Sequence, residues 1–360
     1  MHLVHNMITP ATILNDTLPD KLPWPELDWL HDIPGKTFYG LWITGQRNIP
    51  NNFDNYVFAW FGEPLDYPWL YQIAKANKTK KFIVLDNGPK DNTYYPKNVF
   101  YYSFPCYDLM INQILKWHPD PIKKDVKYKV SAICNRITPS KMFATTALLE
   151  AFPRNEITVK LSSWLQQDED FVFQPTGNAT LDELKEIFVR KYYGQEILVD
   201  EQFDFSDMHA TTNMQNIFYS GAAIHLNLES HPMSYMSEED GVKHIRPGPN
   251  LSEKTFKCLL AEIAFIPVSQ YNVYGYLKQL GLQFDYELDL SFDNDPGNFT
   301  RYASICDLLK ELQKYDVVDL INMTSESSRF NRDFIVSQNF SNKCNLLRQQ
   351  SINDIYKEHI

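Results

Sequence analysis

Three turns in this sequence concentrate the side chains best suited to chemistry. The first is Gly248-Pro249-Asn250-Leu251-Ser252-Glu253-Lys254-Thr255-Phe256-Lys257. Ser252 is placed to cap a helix whose first turn offers unpaired backbone N–H groups and the positive end of a helix dipole. Lys254 adds a full positive charge at that end, a combination that holds a diphosphate. Glu253 beside it can accept hydrogen bonds from sugar hydroxyls. The second turn is Cys134-Asn135-Arg136-Ile137-Thr138-Pro139-Ser140-Lys141, from which Arg136 and Lys141 can both reach a phosphate. The third, Trp60-Phe61-Gly62-Glu63-Pro64, puts a carboxylate just past an apolar run, where an aromatic surround raises a carboxyl pKa and suits it to act as a base. Each turn also has a purely structural reading: a capped surface helix with a Glu-Lys pair, a rim arginine, and a glutamate capping the next helix.

Other chemistries lack their residues. There is no Gly-x-Gly-x-x-Gly, no Walker loop and no Gly-x-Ser-x-Gly elbow. Cys106, Cys134, Cys258, Cys306 and Cys344 are odd in number and widely spaced, which suits a reducing compartment and not a cysteine-built zinc site. Asp168-Glu169-Asp170 reads as a solvated loop, and His225, inside an apolar run, as a core histidine; His209, His231 and His244 have no ligand spacing. No metal is expected.

The elements that must position these turns alternate between strand and helix. Short apolar runs at 38–43, 56–61, 82–85 and 99–103 read as buried strands, with helices at 69–76 and 107–117. His118-Pro119-Asp120-Pro121 breaks the pattern, and a second series follows: strands at 127–134, 157–161, 222–228 and 265–268, and a helix opened by Thr138-Pro139. Thr180-Leu181-Asp182-Glu183 reads as a capping box. A half-buried helix is expected to carry Phe256, Leu259, Leu260, Ile263 and Ala264, and a later one Ile305, Leu308, Leu309 and Leu312. The class is therefore α/β, with two Rossmann-like domains facing across a cleft.

The 360 residues suffice for two domains with real cores. At 44% hydrophobic and 22% charged, the composition is that of a folded chain and excludes disorder throughout. A net charge of −11 argues against polyanion binding through the overall field. Two lysine runs remain as local candidates: Lys75, Lys78, Lys80 and Lys81, then Lys123, Lys124, Lys127 and Lys129. The first nine residues have neither a basic start nor a long apolar run, and no apolar stretch reaches membrane-spanning length, so a cytoplasmic protein is expected.

Taken together, Ala222-Ala223-Ile224-His225-Leu226-Asn227-Leu228-Glu229-Ser230, the Leu251 to Lys257 segment, and Ala264-Phe265-Ile266-Pro267-Val268 resemble the donor-binding signature of α1,3-fucosyltransferase-like and phage-encoded sugar transferases of the GT-B fold. The turn holding Asn135, Arg136 and Lys141 is similar to their Asn-Arg turn, with a lysine where they have a second arginine. Leu288-Asp289-Leu290-Ser291-Phe292-Asp293, with Arg301, resembles their acidic segment, and Trp60 to Pro64 their catalytic glutamate turn. The chain departs from the group in a long insert at 233–249. It also lacks the Glu-x7-Glu pair of many GT-B enzymes, since Glu253 and Glu262 are nine apart.

The resemblance implies an acceptor-binding domain at 1–120, a nucleotide-sugar domain at 121–325 and a helical segment at 326–360 that crosses back to the first domain. It implies a nucleotide-diphosphate sugar as donor, with no cofactor and no obligatory metal. Arg136, Lys141, Lys254 and the helix start at Ser252 and Thr255 would bind the donor, with Glu253 or Glu229 on its ribose or sugar. Glu63 would be the catalytic base. The acceptors implied are hydroxymethylated cytosine in phage DNA, reached in the host cytoplasm, or a glycan or lipid-linked hydroxyl. The alternative from another class is a non-catalytic sugar- or protein-binding module on a degenerate transferase fold.

Overall fold

A strand covered on both faces needs continuous hydrophobicity, not alternation, and the apolar runs of this chain meet that need. The computed structural model describes residues 29, 32–35, 37–41, 53–60, 67–88, 96–118, 120, 122–162, 175–198, 217–229, 235–239, 242–245, 249 and 251–360. The described residues form a mixed α/β structure with ten helices and parallel or mixed sheets. They divide between two compact units: Met1–Tyr107, Tyr235–Asn250 and Ser341–Ile360 in the first, Asp108–Ser234 and Leu251–Phe340 in the second. Set against the expected bounds of 1–120, 121–325 and 326–360, the first unit lacks 108–120 and gains the segment at 235–250 and the end of the chain.

In the first unit β1 (Thr37–Leu41), β2 (Asn55–Trp60), β3 (Lys81–Asp86) and β4 (Val99–Ser103) lie parallel in chain order. Helix α1 (Tyr67–Ala76) sends Leu70 and Ala74 into a core with Phe53, Tyr56, Phe58, Phe82, Val84 and Tyr101. Tyr56 stacks on Phe82 at 5.1 Å between ring centroids. The Asn98 amide closes the end of α1, donating to the carbonyls of Ala74, Asn77 and Lys80. The chain returns to this unit through its last helix, α10 (Gln338–His359). Arg348 donates to the Pro105 carbonyl, Ser351 to the Ser103 carbonyl, and Tyr102 to Glu358. The insert at 233–249 contains an antiparallel hairpin, β9 (Tyr235–Glu239) with β10 (Val242–Ile245).

The second unit is built on a five-stranded sheet in the order β11-β8-β5-β6-β7. Its members are β5 (Tyr128–Cys134), β6 (Ile157–Leu161), β7 (Ile197–Leu198), β8 (Ala222–Leu228) and β11 (Ala264–Val268). All pairs are parallel except β6 with β7. Every residue of β8 and β11 is buried. Pro267, which has no N–H to give a ladder, sits in β11 at one end of this strand order, as an edge strand permits.

From β5 the chain passes through α3 (Pro139–Ala151) to β6 on one side. From β8 it passes through α6 (Glu253–Leu260) to β11 on the other. The strand order therefore reverses between β5 and β8, and open parallel sheets bind ligands at the carboxyl ends of their strands at such a point.

Two expected boundaries move. Helix α4 (Ala179–Lys191) is capped by Asn178, whose side-chain oxygen accepts from Leu181 N–H, and not by Thr180. Asp182 is instead turned to Thr176, accepting from its backbone N–H at 2.7 Å. Helix α6 ends at Leu260, and Ile263 and Ala264 belong to a turn and to β11. Their helical spacing was fortuitous: Glu262, at φ 49°, reverses the chain between them and the helix.

Candidate anion-binding site

Two loops meet at the reversal of strand order. The one after β5 carries Arg136 and leads to Lys141 in the first turn of α3; the one after β8 carries Glu229. Pro139 opens α3 after Thr138, whose hydroxyl makes no capping bond to the backbone and lies 3.3 Å from that of Ser140. At α6 the cap is complete. The Ser252 hydroxyl oxygen accepts from Lys254 N–H at 3.2 Å while its own O–H donates to Glu229 at 2.6 Å.

Glu229 is 3% exposed and lies at the start of α6, where a negative charge opposes the positive end of the helix dipole. Besides Ser252 it accepts from the Thr255 hydroxyl at 2.9 Å, the Asn227 amide at 3.3 Å and the Ser252 N–H at 3.4 Å. The Lys254 ammonium stands 3.7 Å away. A buried carboxylate with this many donors is stabilised in place. Glu229, Ser252 and Thr255, all expected to touch a donor, are thus committed to one another and form the frame that aims Lys254.

Lys254 and Glu253 keep about a quarter of their side chains exposed, at 29% and 28%. Burial works against ionisation of Glu253, yet Lys254 and Lys257 hold its carboxyl down at about 2. Lys141 is different. It is only 5% exposed, and no hydrogen bond or ion pair joins its ammonium to any described residue. Burial first, then Lys254 and more weakly Arg136, push its pKa down to about 8, against the opposing pull of Cys134 and Glu229. Three cations therefore act together at the ends of β5 and β8, with two carboxylates among them, Glu229 at 3.7 Å and Glu253 at 4.0 Å from Lys254. Such an arrangement favours an anion that would complete the charge balance.

Two residues of this region escaped the sequence reading. Lys257, one turn beyond Lys254, is 4% exposed, and burial lowers its pKa. Its spacing from Lys254 was the available signal, but its exposure was not legible. Ser269 follows β11 beside Glu229, whose N–H donates to the Val268 carbonyl, and its buried hydroxyl has no partner among the described residues.

Other expectations resolve as structure. The Asp289–Asp293 segment and Arg301 form a brace. Asp293 accepts from the N–H groups of Val273 and Tyr274 at the start of α7 (Val273–Gln279). Arg301 is buried and donates to the carbonyls of Ser269 and Asp295. His225 is a core histidine, with Nδ1 2.8 Å from the Ser131 hydroxyl. In the lysine runs, Lys124 donates to the Tyr219 carbonyl and Lys129 pairs with Glu156 at 2.8 Å; Lys80 and Lys127 pair with Asp54 and Asp125. Glu63 and the acidic triplet at 168–170 lie outside the described residues.

Among the described residues no group of three or more His, Cys, Asp or Glu is arranged to hold a metal ion, and no helix is long and apolar enough to cross a membrane. The five cysteines are unbridged and buried. No family model and no curated protein matches the chain.

Proposed function

We propose that the chain is a glycosyltransferase of the GT-B kind, moving a sugar from a nucleotide-diphosphate sugar to an acceptor hydroxyl. The observation that carries this reading is the buried Lys141, without a hydrogen-bond or ion-pair partner among the described residues, beside Lys254 and Arg136 where the strand order reverses. The two Rossmann-like domains and the cytoplasmic setting belong to the same proposal.

In this reading Arg136, Lys141 and Lys254 neutralise the charge that grows on the diphosphate as the glycosidic bond breaks. Cations fixed before the reaction stabilise such a transition state without reorganising during it. Glu229 does not touch the donor: it holds Ser252 and Thr255, and so the start of α6, and sets the position of Lys254. Glu253, kept ionised, accepts hydrogen bonds from ribose or sugar hydroxyls. For an inverting reaction we assign the base to Glu63, in the N-terminal part of the chain. A buried cation without a partner among the described residues favours this reading over a non-catalytic module, in which such a charge would carry a cost and no use.

For the acceptor, the lysines favour a glycan or lipid-linked hydroxyl over hydroxymethylated cytosine in DNA. Lys124 and Lys129 are held in the fold, which leaves less of the two runs for tracking phosphates.

The experiment is a thermal-shift panel of nucleoside diphosphates and nucleotide sugars, followed by donor hydrolysis with the best of them. Binding to the folded state raises the melting temperature by mass action. A shift with at least one diphosphate, and none with its nucleoside, supports the reading. No shift with any of them overturns it.

A further inference from the structure

We propose that this site takes up its anion together with one proton, which settles on the Lys141 amine. The inference rests on the donor-site reading above and concerns how that site is regulated.

A lysine this buried, with no acceptor for its ammonium among the described residues, is held in its charged form only weakly. The groups acting on it come from every side of the site. Arg136 and Cys134 lie on its own β5–α3 segment, Glu229 follows β8, and Lys254 is on α6. Two more helices pack on α3, namely α4 and α8 (Asn298–Leu312). Their buried charges are otherwise engaged: Lys185 with Asp182, and Arg301 with the Ser269 and Asp295 carbonyls. Among the described residues Glu229 is the carboxylate acting on Lys141, and it is already surrounded by the donors of Ser252, Thr255 and Asn227.

With its pKa near 8, Lys141 is partly neutral in the empty site at mildly alkaline pH. A diphosphate beside it supplies the missing countercharge, raises that pKa and draws a proton from solvent. The balance is simple: neutral amine, proton and diphosphate become ammonium paired with diphosphate, and no covalent bond changes. Since the bound form carries the extra proton, affinity falls as pH rises above about 8, by up to about tenfold per pH unit.

The test is calorimetric titration of the full chain with ADP, GDP and UDP at about pH 8.5, in buffers of different ionisation enthalpy. Their phosphates are fully ionised there, so the uptake reports on the protein. We expect a substantial fraction of a proton to be taken up per nucleotide by the wild type. Lys141→Arg, charged at every pH used, should bind with almost no uptake and with an affinity that is flat with pH. Lys141→Met guards against a misfolded arginine variant: it should bind at least tenfold more weakly at neutral pH, again with a flat profile. Equal uptake by wild type and variants, or nucleotide binding without uptake by the wild type, overturns proton coupling and leaves the donor site standing. No binding by folded wild type removes the donor site and this inference with it.

Discussion

The Ser252 hydroxyl donates to the Glu229 carboxylate at 2.6 Å while accepting from the N–H of Lys254, so one side chain links the end of β8 to the first turn of α6. The loop after one strand thereby sets where the next helix starts and where its lysine points. Removing the carboxylate strands the hydroxyls of Ser252 and Thr255 in a buried setting and leaves the Asn227 amide only its bond to the Thr255 hydroxyl oxygen. Glu229→Ala is expected to destabilise the second unit by about 3–5 kcal/mol, as breaking a buried charged network does. Glu229→Gln, which keeps an acceptor oxygen, should cost about half as much. Urea unfolding of the full chain followed by fluorescence measures both, and equal stability of Glu229→Ala and wild type would contradict this role.

Arg301 braces the loop after β11 by donating to the carbonyls of Ser269 and Asp295. Its guanidinium is buried, so truncation leaves those acceptors without a donor. Arg301→Ala should lower stability by about 3 kcal/mol, and Arg301→Lys should recover only part of the loss, because Nε and an Nη reach the two carbonyls from separate positions that a single ammonium nitrogen cannot both occupy. Melting temperatures of the three proteins decide it: an unchanged value for Arg301→Ala is the contrary result.

The second unit should weaken in mild acid. Burial holds the folded pKa of His225 down at about 3, below its ordinary value of 6.5. Between those values the unfolded chain binds a proton that the folded chain does not. Stability is therefore retained above about 6.5 and falls with decreasing pH toward 3, at up to about 1.4 kcal/mol per pH unit from this residue. Urea midpoints at pH 7, 6 and 5 should decline for wild type and decline less for His225→Gln. Parallel curves would contradict the assignment. His359, held down at about 4 chiefly by burial, adds a slope of the same sign in the first unit.

Much of this was legible in the sequence, and the reasons are local. Runs such as Ala222–Leu228 are buried on both faces and announce themselves by continuous hydrophobicity. The cap at Ser252 follows from residue type. What composition could not convey was the division of labour among neighbours. Glu229 and Glu253 look alike as acidic residues of the same signature, yet one is buried among donors and the other is part-exposed. The sequence points to Lys141 as a phosphate contact and passes over Lys257, but conveys the burial of neither, because burial of a long side chain depends on contacts distant in sequence. The capping box at Thr180 failed because Asn178, two residues earlier, competes for the same role with a better acceptor for Leu181 N–H.

The acceptor should show itself through salt. A DNA acceptor bound through phosphates loses affinity steeply as salt rises, since each neutralised phosphate releases condensed counterion. With Lys124 bonded to the Tyr219 carbonyl and Lys129 buried against Glu156, transfer is expected to show little salt dependence and to proceed on a glycan or lipid-linked acceptor. Transfer assays with hydroxymethylcytosine DNA, unmodified DNA and a glycan panel across a salt series provide the comparison. Salt-sensitive transfer confined to the hydroxymethylated DNA would reverse the preference.

Lys254 and Arg136 are proposed to hold a diphosphate at the carboxyl ends of β5 and β8. Calorimetric titration of wild type, Lys254→Ala and Arg136→Ala with ADP, CDP, GDP and UDP tests it most directly. At least one nucleotide is expected to bind the wild type, and each variant to lose about 1.5–3 kcal/mol of that affinity, the range for a charge-assisted contact, with its fold intact. Equal affinities for all three proteins, or no binding of any diphosphate to folded wild type, would contradict it.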